Sequence, residues 1–153
     1  MISREETIEI NRPLEEVFSY ASKPENFPEW VATVIEVRQD RPRGGGPLRE
    51  GGRFTAMQQA LGRRFEAPFQ VIDYEPNRRC AHRSTEGHPM AVTMNFTYEP
   101  MSSEGTRFTS RIEAEPGGFF GVVGAVLERA LMRQMRTNLE TLKACWRSGG
   151  SPR

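Results

Sequence analysis

Residues 7–37, TIEINRPLEEVFSYASKPENFPEWVATVIEV, compress a short strand, two clipped helices and a second strand into one run, and few folds begin that way. Ile8 and Ile10 alternate with Thr7 and Glu9, the period of a half-buried strand. Asn11 or Arg12 is then placed to cap a helix that Pro13 starts, with Glu15 and Glu16 in its first turn and Val17, Phe18 and Tyr20 on its apolar side. Ser22-Lys-Pro-Glu25 has the spacing of a capping box, which predicts a second helix beginning almost at once and ending near Pro28. Phe27 and Trp30 are expected to plug one end of a core. The β-branched residues of 31–37 then give a second strand.

Strands follow without helical interruption at 53–59, 63–74, 79–85, 90–99 and 106–113. Turn signals stand between them at Leu61-Gly62, Glu75-Pro76-Asn77, Glu86-Gly87-His88-Pro89 and 101–105, so the strands form a meander. The clearest alternation sets Met90, Val92, Met94, Phe96 and Tyr98 against Ala91, Thr93, Asn95, Thr97 and Glu99, one dry face and one wet face. Phe108, Ser110, Ile112 and Ala114 oppose Arg107, Thr109, Arg111 and Glu113 in the same way. One side of the sheet must therefore be covered.

The cover is the proline-free segment 117–146, which as a helix from Gly121 would run roughly 40 Å, enough to cross a sheet. Gly124, Leu127, Leu131, Met135, Asn138, Leu142 and Cys145 fall on one stripe, with Gln134 and Glu128 on its margins. The opening FFGVVGAVL is apolar nearly all round. It is too short to span a bilayer and is interrupted by Glu128-Arg129, so burial or a lipophilic entrance is expected ahead of transient membrane contact.

Composition removes several classes of function. At 153 residues the chain fits a single domain, 1–147, with 148–153 expected as a disordered tail. Twenty-one Lys and Arg against twenty Asp and Glu give a net charge of +1, too little to steer the protein onto nucleic acid. The glycine loop at 41–47 lacks a following Gly-Lys-Ser/Thr and reads as a flexible connection. Cys80, Cys145, His82 and His88 share no zinc or redox spacing, so no metal or cofactor is expected and the thiols are read as reduced, in a cytoplasmic protein. No serine sits in a nucleophile elbow, and Glu15-Glu16 is explained by the helix dipole.

The run 13–20, PLEEVFSY, followed by 23–30, KPENFPEW, resembles the opening of the polyketide cyclase/dehydrase and lipid-transport superfamily, the START-like or birch-pollen-allergen-like proteins. Gly52-Arg-Phe54, Tyr74-Glu-Pro76, Gly105-Thr-Arg-Phe108 and the C-terminal helix fall in the order that family shows. The resemblance implies an α+β helix-grip fold, a curved seven-stranded antiparallel sheet around a long C-terminal helix, with two short helices between strands 1 and 2 and an apolar cavity inside. Members bind lipids, sterols, polyketides, quinones or plant hormones, and some catalyse cyclisation or dehydration. Fold alone does not choose among these.

The resemblance also directs the face of Cys80, His82 and Ser84 into the cavity. There a neutral His82 would orient a ligand carbonyl or hydroxyl or act as a general base; a histidine satisfied by a backbone carbonyl, or lying at the sheet edge, is the plainer alternative. Candidate lining residues are His82, Met90, Val92, Met94, Phe96, Phe120, Leu127, Leu131, Met135 and Asn138. Met57 joins Met90, Met94 and Met135 in a soft lining if the register allows. Gln58 is ambiguous, because Phe54 and Met57 stand on opposite sides of its strand. Binding or carriage of an apolar small molecule leads, a cyclase or dehydratase using His82 is the alternative, and a partner-binding module follows. Neither ligand identity nor oligomeric state is legible.

Overall fold

The first strand, β1 (Ile2–Ile10), buries Ile2 and Ile10 and exposes Ser3, Glu5, Thr7 and Glu9. It pairs antiparallel with β7 (Gly105–Pro116), Ile2 opposite Ala114 and Ile10 opposite Thr106. Between these partners run β2 (Val34–Asp40), β3 (Arg53–Ala60), β4 (Arg63–Glu75), β5 (Arg79–Ser84) and β6 (Met90–Ser102), giving one seven-stranded sheet in the order β1-β7-β6-β5-β4-β3-β2. The computed structural model describes residues 2–40, 49–60, 62–102, 104–116 and 124–146. The expected glycine loop at 41–47, the tail at 148–153 and Phe120 lie outside those residues.

Hairpins follow the turn residues. Gly62 (φ 76°) and Asn77 (φ 63°) occupy the left-handed region that the β3–β4 and β4–β5 turns demand, and glycine and asparagine tolerate it best. In β4, Phe69 and Val71 face the core, then a bulge between Val71 and Asp73 shifts the register so that Tyr74 rather than Asp73 packs inward, edge-on to Phe18 at 5.6 Å. The extra residue re-aims one end of the strand.

The opening run differs in detail from its sequence reading. Helix α1 (Leu14–Ala21) has Pro13 at its N-cap position and no side-chain cap, so neither Asn11 nor Arg12 performs that role. Ser22 does not start a capping box: its hydroxyl donates to the Phe18 carbonyl at 2.5 Å and closes α1 from behind. A single 3₁₀ turn (Pro24–Asn26) leads into α2 (Phe27–Trp30), which continues past Pro28 because a proline in the first turn has no intrahelical N–H to lose. β2 begins at Val34 instead of Val31, since the Val31 carbonyl accepts the Val34 N–H in a turn.

The C-terminal helix is α3 (Gly124–Ala144). Its packed face carries Met135, Leu139, Leu142 and, just beyond its end, Trp146, all buried. Leu139 and Trp146 lie off the stripe that the sequence spacing predicts, and Cys145 is only half-buried. The Trp146 indole donates to Glu16 at 3.1 Å, and an Arg4–Glu128 ion pair joins β1 to α3. The core cluster runs from Ile10, Val17 and Phe18 through Phe54, Phe96 and Phe108 to Leu142, each large apolar side chain contributing about 1.5–3 kcal/mol on burial.

Candidate functional site

Strand β5 is the middle strand of the seven, so its inward side chains form the floor of whatever lies between sheet and helix. His82 stands there, 7% exposed, opposite Val71 on β4 and Met94 on β6. Its imidazole is surrounded by four phenylalanine rings: Phe69 at 4.9 Å, Phe54 at 5.2 Å, and Phe27 and Phe96 each at 5.8 Å. No hydrogen bond to either ring nitrogen is seen among the described residues, and β5 lies at the centre of the sheet and not at its edge.

Above that floor lies a cavity of about 280 Å³. The sheet supplies Phe54, Ala56, Phe69, His82, Met90, Val92, Met94, Phe96 and Ile112, and α3 supplies Ala130, Leu131, Gln134, Met135 and Asn138. Thus His82, Met90, Val92, Met94, Phe96, Leu131, Met135 and Asn138 all border one space. The side chain of Leu127 and all of Phe120 lie outside the described residues. Met57 does not reach the cavity: Phe54 pairs with Phe69 across β3 and β4, which sends Phe54, Ala56 and Gln58 inward and Met57 to the opposite face.

Polar groups gather at the other end. Gln58, Gln59, Thr33, Gln134 and Asn138 are half-buried or exposed, marking the mouth. Asn138 Oδ1 accepts the Ala32 N–H at 3.0 Å and the Gln134 side-chain amide at 2.9 Å, tying α3 to the loop after α2. None of the described lining residues carries a carboxylate, ammonium or guanidinium.

His88 is one of several lining residues that sequence reasoning passed over, with Phe54, Phe69, Ile112 and Ala130 among the others; it reads as a turn residue beside Pro89. Its Nδ1 accepts the Met90 N–H at 2.9 Å, its Nε2 is buried without a partner among the described residues, and its ring leans on Phe69 at 5.1 Å. Desolvation holds both imidazoles neutral, His82 pushed down to about 3 and His88 to about 4. A neutral imidazole offers one donor and one acceptor and no charge. Cys80, on the same strand as His82, is buried and its thiol is pushed up to about 12 by desolvation, which makes it inert. Among the described residues no group of three or more His, Cys, Asp or Glu is placed to hold a metal ion. No described helix is long and apolar enough to cross a membrane.

A seven-stranded antiparallel sheet curved about a C-terminal helix, with two short helices after β1 and a cavity inside, defines a helix-grip protein. The chain belongs to the family described as polyketide cyclase / dehydrase and lipid transport, which matches residues 1–145. Its fold is similar to that of a START superfamily protein from Mycobacterium smegmatis, at 14% identity and a TM-score of 0.78, covering 94% of this chain and 96% of that one. The protein TTHA0849 from Thermus thermophilus is similar at 17% identity and a TM-score of 0.78, over 97% of this chain and 99% of that one. The di-domain ARO/CYC BexL from the BE-7585A biosynthetic pathway is similar at 19% identity and a TM-score of 0.71, over 94% of this chain and 46% of that one. No curated protein matches the sequence.

Proposed function

We propose that the protein binds and carries an apolar small molecule, of lipid, polyketide or quinone-like character, in the cavity between the sheet and α3. The observation that carries this reading is the lining itself: phenylalanine, methionine and aliphatic side chains, two histidines, neutral amides at the mouth and no carboxylate, ammonium or guanidinium among the described lining residues. Such a wall favours transfer of apolar surface out of water, with a few polar atoms left to fix orientation. The volume bounds the cargo. An engineered cavity of about 150 Å³ holds benzene, so about 280 Å³ suits a two-ring core or one short chain, with larger molecules projecting through the mouth. Two unpaired cysteines fit residence in a reducing cytoplasm. Native mass spectrometry of protein recovered from its own host tests the reading: a one-to-one adduct of an apolar molecule is expected, and a bare chain that also fails to take up added apolar probes would refute it.

One observation favours catalysis as a second reading. His82 is a neutral, enclosed imidazole with an unpartnered donor and acceptor, the equipment of a general acid/base in a cyclase or dehydratase. On that reading His82→Ala removes turnover by about 10²–10⁴ while ligand affinity stays within about tenfold. In a carrier the same change touches affinity alone.

A further inference from the structure

In this protein His82, on the central strand of the sheet, is buried in the cavity wall and has no hydrogen-bond partner among the described residues. We propose that ligands bind polar end inward, an uncharged hydroxyl or carbonyl oxygen on a compact ring system meeting His82 at the floor while the apolar remainder extends toward Leu131 and Met135. This rests on the reading that the cavity binds an apolar small molecule, and it narrows the class to neutral oxygenated ring compounds.

Three observations lead there. First, His82 presents a donor and an acceptor to the cavity, and its four ring neighbours, Phe27, Phe54, Phe69 and Phe96, offer nothing in return. A water molecule against His82 would meet phenylalanine rings around the imidazole, a poor setting for a buried water, which is held by two to four partners. An oxygen delivered on an apolar body replaces such a water at little loss. Second, four phenylalanine rings stand edge-on or tilted about the imidazole, an aromatic wall against which a flat ring packs well. Third, the only titratable groups among the described lining residues are His82, from β5, and His88, beside β6, and both are neutral above about pH 5. No described group can pair with an anion at the floor, where an unpaired carboxylate or phenolate would be strongly disfavoured.

The test compares naphthalene with 2-naphthol, one hydroxyl different, by calorimetric titration of the wild-type protein and His82→Phe. Wild type is expected to prefer 2-naphthol about 3- to 10-fold, the worth of one neutral hydrogen bond. His82→Phe should abolish that preference while still binding naphthalene, which also shows that the variant folds. Bound 2-naphthol should in addition stay un-ionised, by its absorbance, at alkaline pH values where the free phenol has lost its proton. The inference is overturned if His82→Phe keeps the preference, or if bound 2-naphthol ionises as it does in water. If neither compound binds saturably, the cavity-binding reading falls, and the orientation falls with it.

Discussion

His82 on β5 meets Phe69 on β4 edge-to-face at 4.9 Å, and this contact places a titratable group in an aromatic box at the centre of the sheet. The arrangement has a cost that depends on pH. Both His82 and His88 have folded-state values, about 3 and about 4, below the value of about 6.5 that an unfolded histidine shows. As pH falls, the unfolded chain therefore takes up protons first, so their contribution to stability is intact above about pH 6.5 and is lost below it. Each contributes up to about 1.4 kcal/mol per pH unit in that window. Urea unfolding between pH 6 and pH 4.5 should show the loss, and His82→Phe should reduce its slope by about one proton. A flat profile would place His82 in contact with water.

Trp30 closes α2 and is 3% exposed, with ring contacts to Phe27 at 5.8 Å, Phe96 at 5.8 Å and Phe108 at 6.0 Å. Trp30→Ala should cost about 3–5 kcal/mol, as large aromatic truncations in cores do. Chemical denaturation measures it, and a loss under about 1 kcal/mol would contradict this packing.

The two thiols should behave differently. Cys80 is buried with its thiolate strongly disfavoured, whereas Cys145 is half-buried at the end of α3, its sulfur 3.6 Å from the Tyr20 hydroxyl. Iodoacetamide followed by peptide mapping should label Cys145 first, and Cys80 only in denaturant. Labelling of Cys80 in the native protein would mean that β5 opens locally.

How much of this was legible in the sequence depended on how cleanly a pattern separates two faces. The Met90 to Tyr98 alternation in β6 is unbroken, so its inward face could be read directly, and Met90, Val92, Met94 and Phe96 do border the cavity. In β3 the apolar residues Phe54 and Met57 sit an odd number apart, and only pairing with β4 decides between them. The bulge after Val71 has no marker in the sequence either, because it follows from how β4 and β5 meet. Ser22 shows the limit of local rules: four residues after Phe18 it can close one helix as easily as open the next, and the position of the chain behind it decides. His88 became visible as a lining residue only once the β5–β6 turn had folded its ring onto Phe65 and Phe69.

The central claim is that the space between Leu131 on α3 and His82 on β5 is a binding cavity. Calorimetric titration with naphthalene at several temperatures, on wild type and Leu131→Trp, tests it most directly. Wild type should bind one equivalent with a negative heat-capacity change, the mark of buried apolar surface. Leu131→Trp, which fills the space from a half-buried position, should weaken binding at least about tenfold while changing stability by less than about 1.5 kcal/mol. Non-saturable uptake by wild type, or undiminished binding by Leu131→Trp, would contradict the account.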